Sequence, residues 1–431
     1  MDCTTEVGKG RQVPFKRRSS AAFEGGPRSR GVASKAELSG ALGSNAKSSS
    51  ASSGKGAKAG RAQRYQALST ARPWLKELAV KNPLKRFGWD VHRTSTCRYC
   101  RIGSYVSVHQ ELQHLSAFYG GLATCGSVWA CPLCAAKIQS RRRPELEKLV
   151  EWAYKNGFEV QMVTFTFPHY GFNRLRDLIL NQRDAFTIMR GGRPWTRFRN
   201  SYGFQGLVRS LEVTHGSNGF HPHTHELWIT DKLEEDIDRD EFYAGVLAHW
   251  RNACIKSGLL LSTDCHTLDA FNQHSVDVQF KVSSSDYLAK QDQGRAWGID
   301  AEMTASQSKQ GKRSGVHPHE FLVRQAEGDK ELYLEYVKTM TDLRVRQLFW
   351  SPGLKDKAGV REISDEELAQ EQTEKADLLG LLTASQWRVV RGNDARAELL
   401  DAAESFGWEG VVNLLRSLGC EDVVFTPDPG S

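Results

Sequence analysis

Several short segments of the chain alternate hydrophobic with polar residues or run wholly apolar, which is typical of β-strands. They predict strands over residues 158–167, 207–214, 226–229 and 276–282. Longer segments repeat apolar residues at helical spacing and predict helices over 174–190 and 233–258, and Pro144 is expected to begin a helix that ends before Gly157. Strands and helices mix and two strands form a hairpin, which favours an α+β fold with a central antiparallel sheet flanked by helices.

The hairpin has a specific expected register. Residues 216–219, Gly-Ser-Asn-Gly, supply turn chemistry between two predicted strands. A turn formed by these residues sets His215 opposite Phe220 and, three pairs further along, Glu212 opposite His223. Directly opposed residues share one face of a sheet, with Cβ atoms about 5 Å apart.

This register brings one carboxylate to two imidazoles. His223 and His225 stand two residues apart in a strand, so both project from the same face as Glu212. Imidazole and carboxylate are common ligands of divalent metals. We expect the three side chains to hold one Mg²⁺ or Mn²⁺ ion with positions open for a substrate oxygen and water. Ordinary packing of the histidines is the competing interpretation, and His221 is expected to support the site without binding the ion.

A Tyr-x-x-Lys motif follows the predicted strand at 276–282. Tyr287 and Lys290 lie three residues apart in a segment expected to be helical, so they share one face. Beside an open metal site, this pair suggests phosphoryl chemistry. The phenol oxygen of Tyr287 would attack a phosphodiester to form a phosphotyrosine, and Lys290 would neutralise phosphate charge or orient the phenol. Most such pairs are surface residues, so the motif gains its weight from its position after the histidines.

Two Cys-x-x-Cys pairs predict a structural zinc site. Cys97 with Cys100 and Cys131 with Cys134 can each bring two thiolates together, and four thiolates bind Zn²⁺ tetrahedrally. Cys125 is a fifth candidate that can replace one of the four. Buried free thiols are the alternative. The basic residues around the pairs suit either phosphate contacts or a solvated surface.

Composition and charge divide the 431-residue chain into four predicted parts. These are a disordered basic arm (1–70), a cysteine-rich zinc-binding segment (71–143), a central catalytic domain (144–357) and an acidic helical region (358–431). The net charge of +7 combines +9 over residues 1–65 with −9 over residues 361–431, and a basic arm and centre fit a polyanionic partner. The sequence has neither a secretory signal pattern nor a run of about 18 apolar residues, so we expect a cytoplasmic protein that does not contact membranes.

Two local expectations complete this picture. The leucines within residues 378–382 are expected to line a helix of the acidic region. His317 and His319 flank Pro318 after a basic stretch and outside any predicted strand, so these histidines are expected on the surface.

The order of the motifs resembles that of the HUH endonucleases, and most closely that of bacterial plasmid rolling-circle replication initiators. The resemblance covers roughly residues 95–357. It depends on residues 125–134 (CGSVWACPLC), 163–167 (VTFTF), Glu212 with 221–225 (HPHTH), Tyr287-x-x-Lys290, and 348–354 (LFWSPGL). Each motif is short, but their combination in this order is specific.

The resemblance implies a nickase that cuts one strand at a replication origin, keeps the 5′ phosphate on Tyr287 and leaves a 3′-hydroxyl primer. Residues 144–357 would then be an HUH-type nickase domain, with an antiparallel sheet between helices. Origin DNA, single-stranded or extruded, is the implied substrate. A host helicase and polymerase are further candidate partners.

Three positions depart from the family pattern. Thr224 stands where a hydrophobic residue usually separates the two ligands, and Gln291 stands where two-tyrosine relatives carry the second tyrosine. Ser283 occupies the position at which some relatives have a glutamate that activates water for termination. Asp286 is adjacent to the tyrosine but would point elsewhere on a helix, so the terminating base is not assigned.

Two other functions are consistent with the same motifs. A HUH transposase or conjugative relaxase would use the same chemistry in another context, although relaxases usually place the tyrosine ahead of the histidines. A zinc-dependent DNA-binding regulator with a degenerate nuclease core would not need the phenol of Tyr287 at all.

Overall fold

The computed structural model describes residues 50–81, 89–113, 115–233, 236–261, 263–283, 315–370 and 376–420. Tyr287 and Lys290 lie outside the described residues. Helices within the described ranges are α1 (Ser50–Leu75), α2 (Pro132–Lys155), α3 (Leu175–Met189), α4 (Gly192–Ser201), α5 (Asp236–Ser257), α6 (Cys265–His274), α7 (Phe321–Arg324), α8 (Asp329–Asp342), α9 (Leu354–Lys357), α10 (Asp365–Ala369), α11 (Ala384–Gly392) and α12 (Arg396–Ser417). None of them is long and apolar enough to cross a bilayer.

The strands form separate antiparallel sheets. They are β1 (Val80–Lys81), β2 (Trp89–Asp90), β3 (Val106–Glu111), β4 (Ala117–Gly120), β5 (Glu159–Phe165), β6 (Gly206–Gly216), β7 (Gly219–Thr230), β8 (Val276–Gln279), β9 (Leu348–Trp350) and β10 (Ala376–Leu382). The largest described sheet has the order β8-β5-β7-β6-β9, and every neighbouring pair in it is antiparallel. The predicted mixed fold with an antiparallel sheet flanked by helices is therefore present.

The hairpin of β6 and β7 has the predicted register. Gly216 pairs with Gly219, His215 with Phe220, and Glu212 with His223. Gly219 adopts a φ of +84°, in the left-handed region that a residue without Cβ enters at little cost. The turn chemistry and the apolar pattern agree, and a slip by one residue would move every side chain of β7 to the other face.

Each face of this sheet is covered by different helices. Val163 and Phe165 of β5 point into a core with residues of α3 and α5. Val160 and Met162, which alternate with them along the strand, pack against Leu149 of α2 and its neighbours. Apolar burial on both faces holds the sheet between two helical layers.

The acidic C-terminal region contributes a strand that the sequence does not reveal. Residues 376–382 form β10, which pairs with β3 and places Leu382 beside Val106, so the expectation of a helix here is wrong. A short apolar run fits a buried strand as well as a helix, and pairing with β3 decides between them. Leu382, Trp387 and Leu400 share one core with Val106 and β4, so this region packs onto the cysteine-rich segment.

Helix α1 begins at Ser50, within the segment whose composition predicts disorder to residue 70. Leu68 and Ala71 are fully buried on one side of it. Arg61 forms ion pairs with Asp401 at 2.6 Å and with Glu404, both in α12. The alanine and serine content of this segment predicted disorder. It instead forms a helix with one buried side, and packing against the rest of the protein stabilises it.

Helix α2 also differs from its prediction. It begins at Pro132 and continues through Pro144. Its N-cap is Cys131, whose side chain accepts a hydrogen bond from the N–H of Cys134. Proline at the first turn forfeits no helical hydrogen bond, but an internal proline does. Helical packing on both sides of Pro144 outweighs the missing bond, so Pro144 lies inside the helix and does not begin one.

A buried carboxylate connects β7 to its surroundings. Glu226 has no exposed surface and accepts hydrogen bonds from Arg209 Nε at 2.5 Å, from Trp228 Nε1 at 2.6 Å and from Arg190. Burial by itself raises the pKa of Glu226, but the two guanidinium groups outweigh it and the pKa lies below its usual value. Glu226 therefore stays ionised and links the end of α3 to the hairpin.

Replacing Glu226 with alanine leaves Arg190 and Arg209 buried without their counter-ion. We expect the free energy of unfolding at neutral pH to fall by about 3–5 kcal/mol in chemical denaturation. Glu151→Ala, on the exposed side of α2, is the control and should change it by less than about 0.5 kcal/mol. Because the folded-state pKa of Glu226 is lowered, its contribution is present above the ordinary carboxyl pKa and is lost as the pH falls through the lowered value. Equal losses in both variants would contradict this role.

Candidate functional site

Glu212, His223 and His225 converge on one face of the hairpin. Glu212 Oε2 lies 3.2 Å from His223 Nε2 and 3.5 Å from His225 Nε2. One ligand atom from each residue lies within 4.8 Å of the others. Glu212 is 5% exposed, and both histidines are partly exposed. The carboxylate therefore forms the floor of the site and the imidazoles face its opening.

Groups behind the imidazoles orient them. His223 Nδ1 lies 3.3 Å from the carbonyl oxygen of His221, which can only accept, so Nδ1 is the donor on that side and Nε2 is the ring atom directed at Glu212. Thr164 Oγ1 lies 3.0 Å from His225 Nδ1 and can hold that ring in the same tautomer. Such partners on the far nitrogen are typical of metal-bound histidines.

The three side chains fit a divalent cation. Two neutral imidazole nitrogens and one carboxylate oxygen converge on one point, and ligands from outside the trio can complete the coordination. The predicted metal ligands are thus brought together by the fold.

His221 stands next to the trio without joining it. Its Nε2 hydrogen-bonds to Thr166 Oγ1, and its ring stacks on His169 with centroids 4.3 Å apart. Burial, followed by the neighbouring His223 and His169, lowers the pKa of His221 to about 3. His221 is therefore neutral at physiological pH and supports His223 through its backbone oxygen.

A cavity opens beside this histidine pair. It has a volume of about 620 Å³, and His169, His221 and residues of α6 form its walls. Tyr170 at its rim stacks on Phe172 with ring centroids 5.4 Å apart and an interplanar angle of 2°. These rings are 45% and 76% exposed, so an apolar stacking surface faces solvent at the cavity that His169 and His221 line.

A second cluster consists of four buried thiols, those of Cys97, Cys125, Cys131 and Cys134. The Sγ atoms of Cys97 and Cys134 are 3.6 Å apart, those of Cys125 and Cys134 3.6 Å, and those of Cys131 and Cys97 3.7 Å. A tetrahedral zinc–thiolate centre has sulfur atoms roughly 3.8 Å apart, since each zinc–sulfur bond is about 2.3 Å. A disulfide would need about 2 Å. The spacing fits one tetrahedral metal ion.

The membership of this cluster differs from the predicted set. Cys125 takes the place expected for Cys100, which is only partly buried and lies outside the group. The N–H of Cys125 donates to Cys97 Sγ at 3.4 Å, and Thr94 Oγ1 donates to Cys125 Sγ at 3.4 Å. Burial raises the pKa of the Cys131 thiol, whereas hydrogen bonds with the neighbouring thiols lower the pKa of Cys134, so a bound cation would be needed to keep all four as thiolates.

The thiol cluster is tied to the hairpin through a buried layer. His319 Nε2 lies 2.6 Å from the carbonyl oxygen of Trp129, and Tyr333 donates to the carbonyl oxygen of Ala130 at 2.7 Å. The same core contains Val213 and Phe220 of the hairpin. His319 is fully buried, so the expectation that it lies on the surface is wrong. Because His319 lies outside any predicted strand or helix, the sequence pattern gave no indication of its burial.

Sequence reasoning also missed the partners that orient the ligands. Thr164 and Thr166 alternate along the chain at the end of β5, and this polar face of an otherwise apolar strand was the available signal. His169 follows Pro168 in a loop, where no periodic pattern exists to indicate its stacking on His221.

Two known proteins match the chain, each over part of its length. The chain is 27% identical over 249 residues to "Protein rep" of Streptomyces lividans, covering 47% of this chain and 53% of that protein. It is 27% identical over 171 residues to "Neomycin resistance protein" of Streptomyces cyanogenus, covering 32% of this chain and 39% of that protein. The chain thus spans about half the length of the first relative and about two fifths of the second. No protein-family model and no solved structure matches it.

The membership of the thiol cluster can be tested with two serine variants. We expect the wild type to bind about one zinc ion per chain, and Cys125→Ser, which removes a candidate ligand, to lose that ion together with thermal stability. Cys100→Ser is the matched control and should keep both. Zinc content measured by plasma mass spectrometry and thermal unfolding report the two effects. Loss of zinc in Cys100→Ser with retention in Cys125→Ser would restore the original assignment.

Proposed function

We propose that this protein is a DNA-nicking initiator of rolling-circle plasmid replication, which cuts one strand at an origin and keeps the 5′ end covalently on Tyr287. The observation that carries the proposal is the convergence of Glu212, His223 and His225 on one face of a rigid hairpin, with Thr164 and His221 orienting the imidazoles. A carboxylate and two such histidines form an open metal site beside a cleft. Metal-assisted phosphoryl transfer uses this kind of site.

The chain's own residues position the reaction. Glu212 and the two histidines would hold Mg²⁺ or Mn²⁺, which when bound polarises the scissile phosphate and stabilises its developing negative charge. Thr164 and the carbonyl oxygen of His221 keep the two Nε2 atoms directed at the centre. Neutral His221 adds no charge that would repel the cation.

The proposed chemical step is a single displacement at phosphorus. The phenol oxygen of Tyr287 attacks, a bond forms between that oxygen and phosphorus, and the bond from phosphorus to the 3′ oxygen breaks. The phenol gives up its proton, and the departing 3′ oxygen takes one up to become the primer hydroxyl. Lys290 would neutralise the phosphate or orient the phenol. No external oxidant or energy source is needed, because one phosphodiester replaces another.

The length of chain between Val282 and Tyr287 is compatible with Tyr287 as the nucleophile at this metal site. The N–H of Val282 donates to the carbonyl oxygen of Val160 at 2.9 Å, beside β5. Five residues separate Val282 from Tyr287, and an extended chain of that length spans up to roughly 17 Å. Thr164 lies four residues along β5 from Val160, roughly 13 Å. The connection is thus long enough for the phenol to reach the metal centre.

The cleft next to His221 suits an unpaired strand. Tyr170 and Phe172 offer stacked, exposed rings, and unpaired bases stack on such platforms without need for a particular sequence. Duplex DNA hides its base faces, so this surface favours single-stranded or extruded DNA. The strand would then lead its phosphate past the metal ligands.

The relatives support replication as the context. "Protein rep" of Streptomyces lividans matches about half of this chain, and a nickase that leaves a 3′ hydroxyl primer would account for a role in replication. A host helicase and polymerase would act after the nick. A cytoplasmic location follows from the proposed substrate.

The nucleophile can be tested with supercoiled plasmid carrying the cognate origin, incubated with Mg²⁺ or Mn²⁺. We expect the wild type to produce nicked circles and a covalent protein–DNA adduct that survives denaturing electrophoresis. Tyr287→Phe should lose both by at least about 10³-fold, because phenylalanine has no attacking oxygen. Tyr105→Phe, at an exposed tyrosine on the surface, should retain both.

Two results would separate the alternatives. Adduct formation by Tyr287→Phe would exclude Tyr287 as the nucleophile. Specific origin binding without any nicking by the wild type, under either metal, would favour the zinc-dependent regulator.

The stacking surface predicts a defined loss of affinity. Tyr170→Ala combined with Phe172→Ala should weaken binding of a labelled single strand by about 1–3 kcal/mol for each unstacked base, measured by fluorescence anisotropy. Tyr105→Ala is the control, since its ring is 51% exposed and lies outside the cleft. Thermal unfolding should be unchanged in all variants because these rings are exposed. Equal affinity of the double variant and the wild type would remove this cleft from the path of the strand.

A further inference from the structure

A second cleft lies on the reverse face of the hairpin. Its volume is about 340 Å³, within the range of small-ligand sites. Thr224 and Leu211 contribute to its floor, and these residues are paired across β6 and β7. Because Thr224 stands between His223 and His225 in the strand, its side chain projects away from the metal ligands. The two sites therefore share one strand and open on opposite faces.

Two buried polar atoms in this cleft have no hydrogen-bond partner within the described part of the chain. They are Thr224 Oγ1 and Gln182 Nε2, on side chains that are 1% and 4% exposed. A buried polar group left unpaired costs stability, and native proteins keep few of them. Both residues line the same cavity, so a ligand there can satisfy both atoms.

The mouth of the cleft is strongly basic. Arg183, Arg344 and Arg346 line it and are exposed. Arg183 donates to the carbonyl oxygen of Leu343 at 2.8 Å, and among the described residues neither Arg344 nor Arg346 forms an ion pair. Arg344 has a φ of +48°, an unusual backbone conformation for a side chain of this size. Three exposed arginines that line one opening suit a phosphate, although Arg346 also attracts Glu362 on its other side.

The inner walls are apolar and aromatic. Phe186 and Phe349 line the cavity, and Arg209 lies over the Phe186 ring with its Cζ 3.8 Å from the centroid. Phe349 is 38% exposed. The cavity thus joins an anionic subsite at its mouth to a flat apolar surface and two free hydrogen-bonding groups inside.

We propose that this reverse cleft binds one nucleotide, with its phosphate at the arginines and its sugar or base against Phe349 and the unpaired atoms of Thr224 and Gln182. A purely inorganic anion would leave the apolar wall and the buried polar atoms unused. A purely apolar ligand would leave the arginines without counter-charge. The nucleotide is either free in solution or part of a DNA strand that continues around the hairpin edge.

This site goes beyond the proposed nicking reaction and does not depend on it. Its position gives it a consequence for the metal centre, since Thr224 belongs to the backbone segment that carries both imidazoles. A ligand that holds Thr224 also restrains His223 and His225.

The test uses the full chain and measures binding, so it is independent of nicking. The probes are the four deoxynucleoside triphosphates, inorganic triphosphate and a labelled DNA single strand of 15 nucleotides. Calorimetry or fluorescence anisotropy measures their binding. Arg344→Ala with Arg346→Ala, and separately Thr224→Val, should weaken nucleotide binding roughly tenfold, since each removes contacts to the ligand. Arg193→Ala with Arg197→Ala removes two exposed arginines of α4 outside the cleft and is the charge-matched control.

Thr224→Val also allows a stability measurement, in which we expect the opposite of the fall in affinity. Valine has the same shape and removes a hydroxyl that is unpaired in the free protein, so the unfolding temperature should hold or rise while affinity falls. An azido-nucleotide should crosslink to peptides containing residues 179–186 or 344–349. Tighter binding by triphosphates than by the single strand identifies a free nucleotide as the ligand, and the reverse identifies DNA.

Other results overturn the inference. The first is that no nucleotide probe binds saturably. The second is that the Arg193 and Arg197 control loses as much nucleotide affinity as the cleft variants. The third is that inorganic triphosphate binds as tightly as the nucleotides. A wild-type protein that nicks DNA but gives one of these results refutes the reverse site alone. A protein that binds nucleotide here but never nicks refutes the proposed function alone.

Discussion

Antiparallel pairing of β6 with β7 is the constraint on which the rest of the structure depends. It sets Glu212 opposite His223, and the two-residue period of a strand then places His225 on the same face. The backbone hydrogen bonds of a central pair in a five-stranded sheet hold these positions rigidly. A metal site needs its ligands within a fraction of an ångström, and a strand pair provides that better than a loop.

The sheet separates two chemical environments that share one strand. Imidazoles and threonines occupy one face where the end of β5 meets the first half of β7, near an open cleft with exposed rings. Thr224 and the buried Glu226 occupy the other face, where arginines are abundant. Alternation along β7 therefore places the candidate cation site and the arginine cluster on opposite faces of the sheet.

The thiol cluster acts as a second anchor for the same hairpin. The carbonyl oxygens of Trp129 and Ala130, next to Cys131, are hydrogen-bonded to His319 and Tyr333. The core that contains the four cysteines also contains Val213 of the hairpin. A metal ion held by these thiols would cross-link four positions of the chain within this apolar core. The helical layer and the cysteine-rich segment thus support the end of the hairpin that bears the ligands.

Local pattern by itself determined the hairpin, its register and the trio of Glu212, His223 and His225, because turn chemistry and strand alternation act over a few residues. It did not determine that Cys125 replaces Cys100, that residues 376–382 form a strand, or that His319 is buried. Each of these depends on contacts between segments far apart in the chain, where loop closure and packing outweigh local preference. Tertiary structure alone decided them.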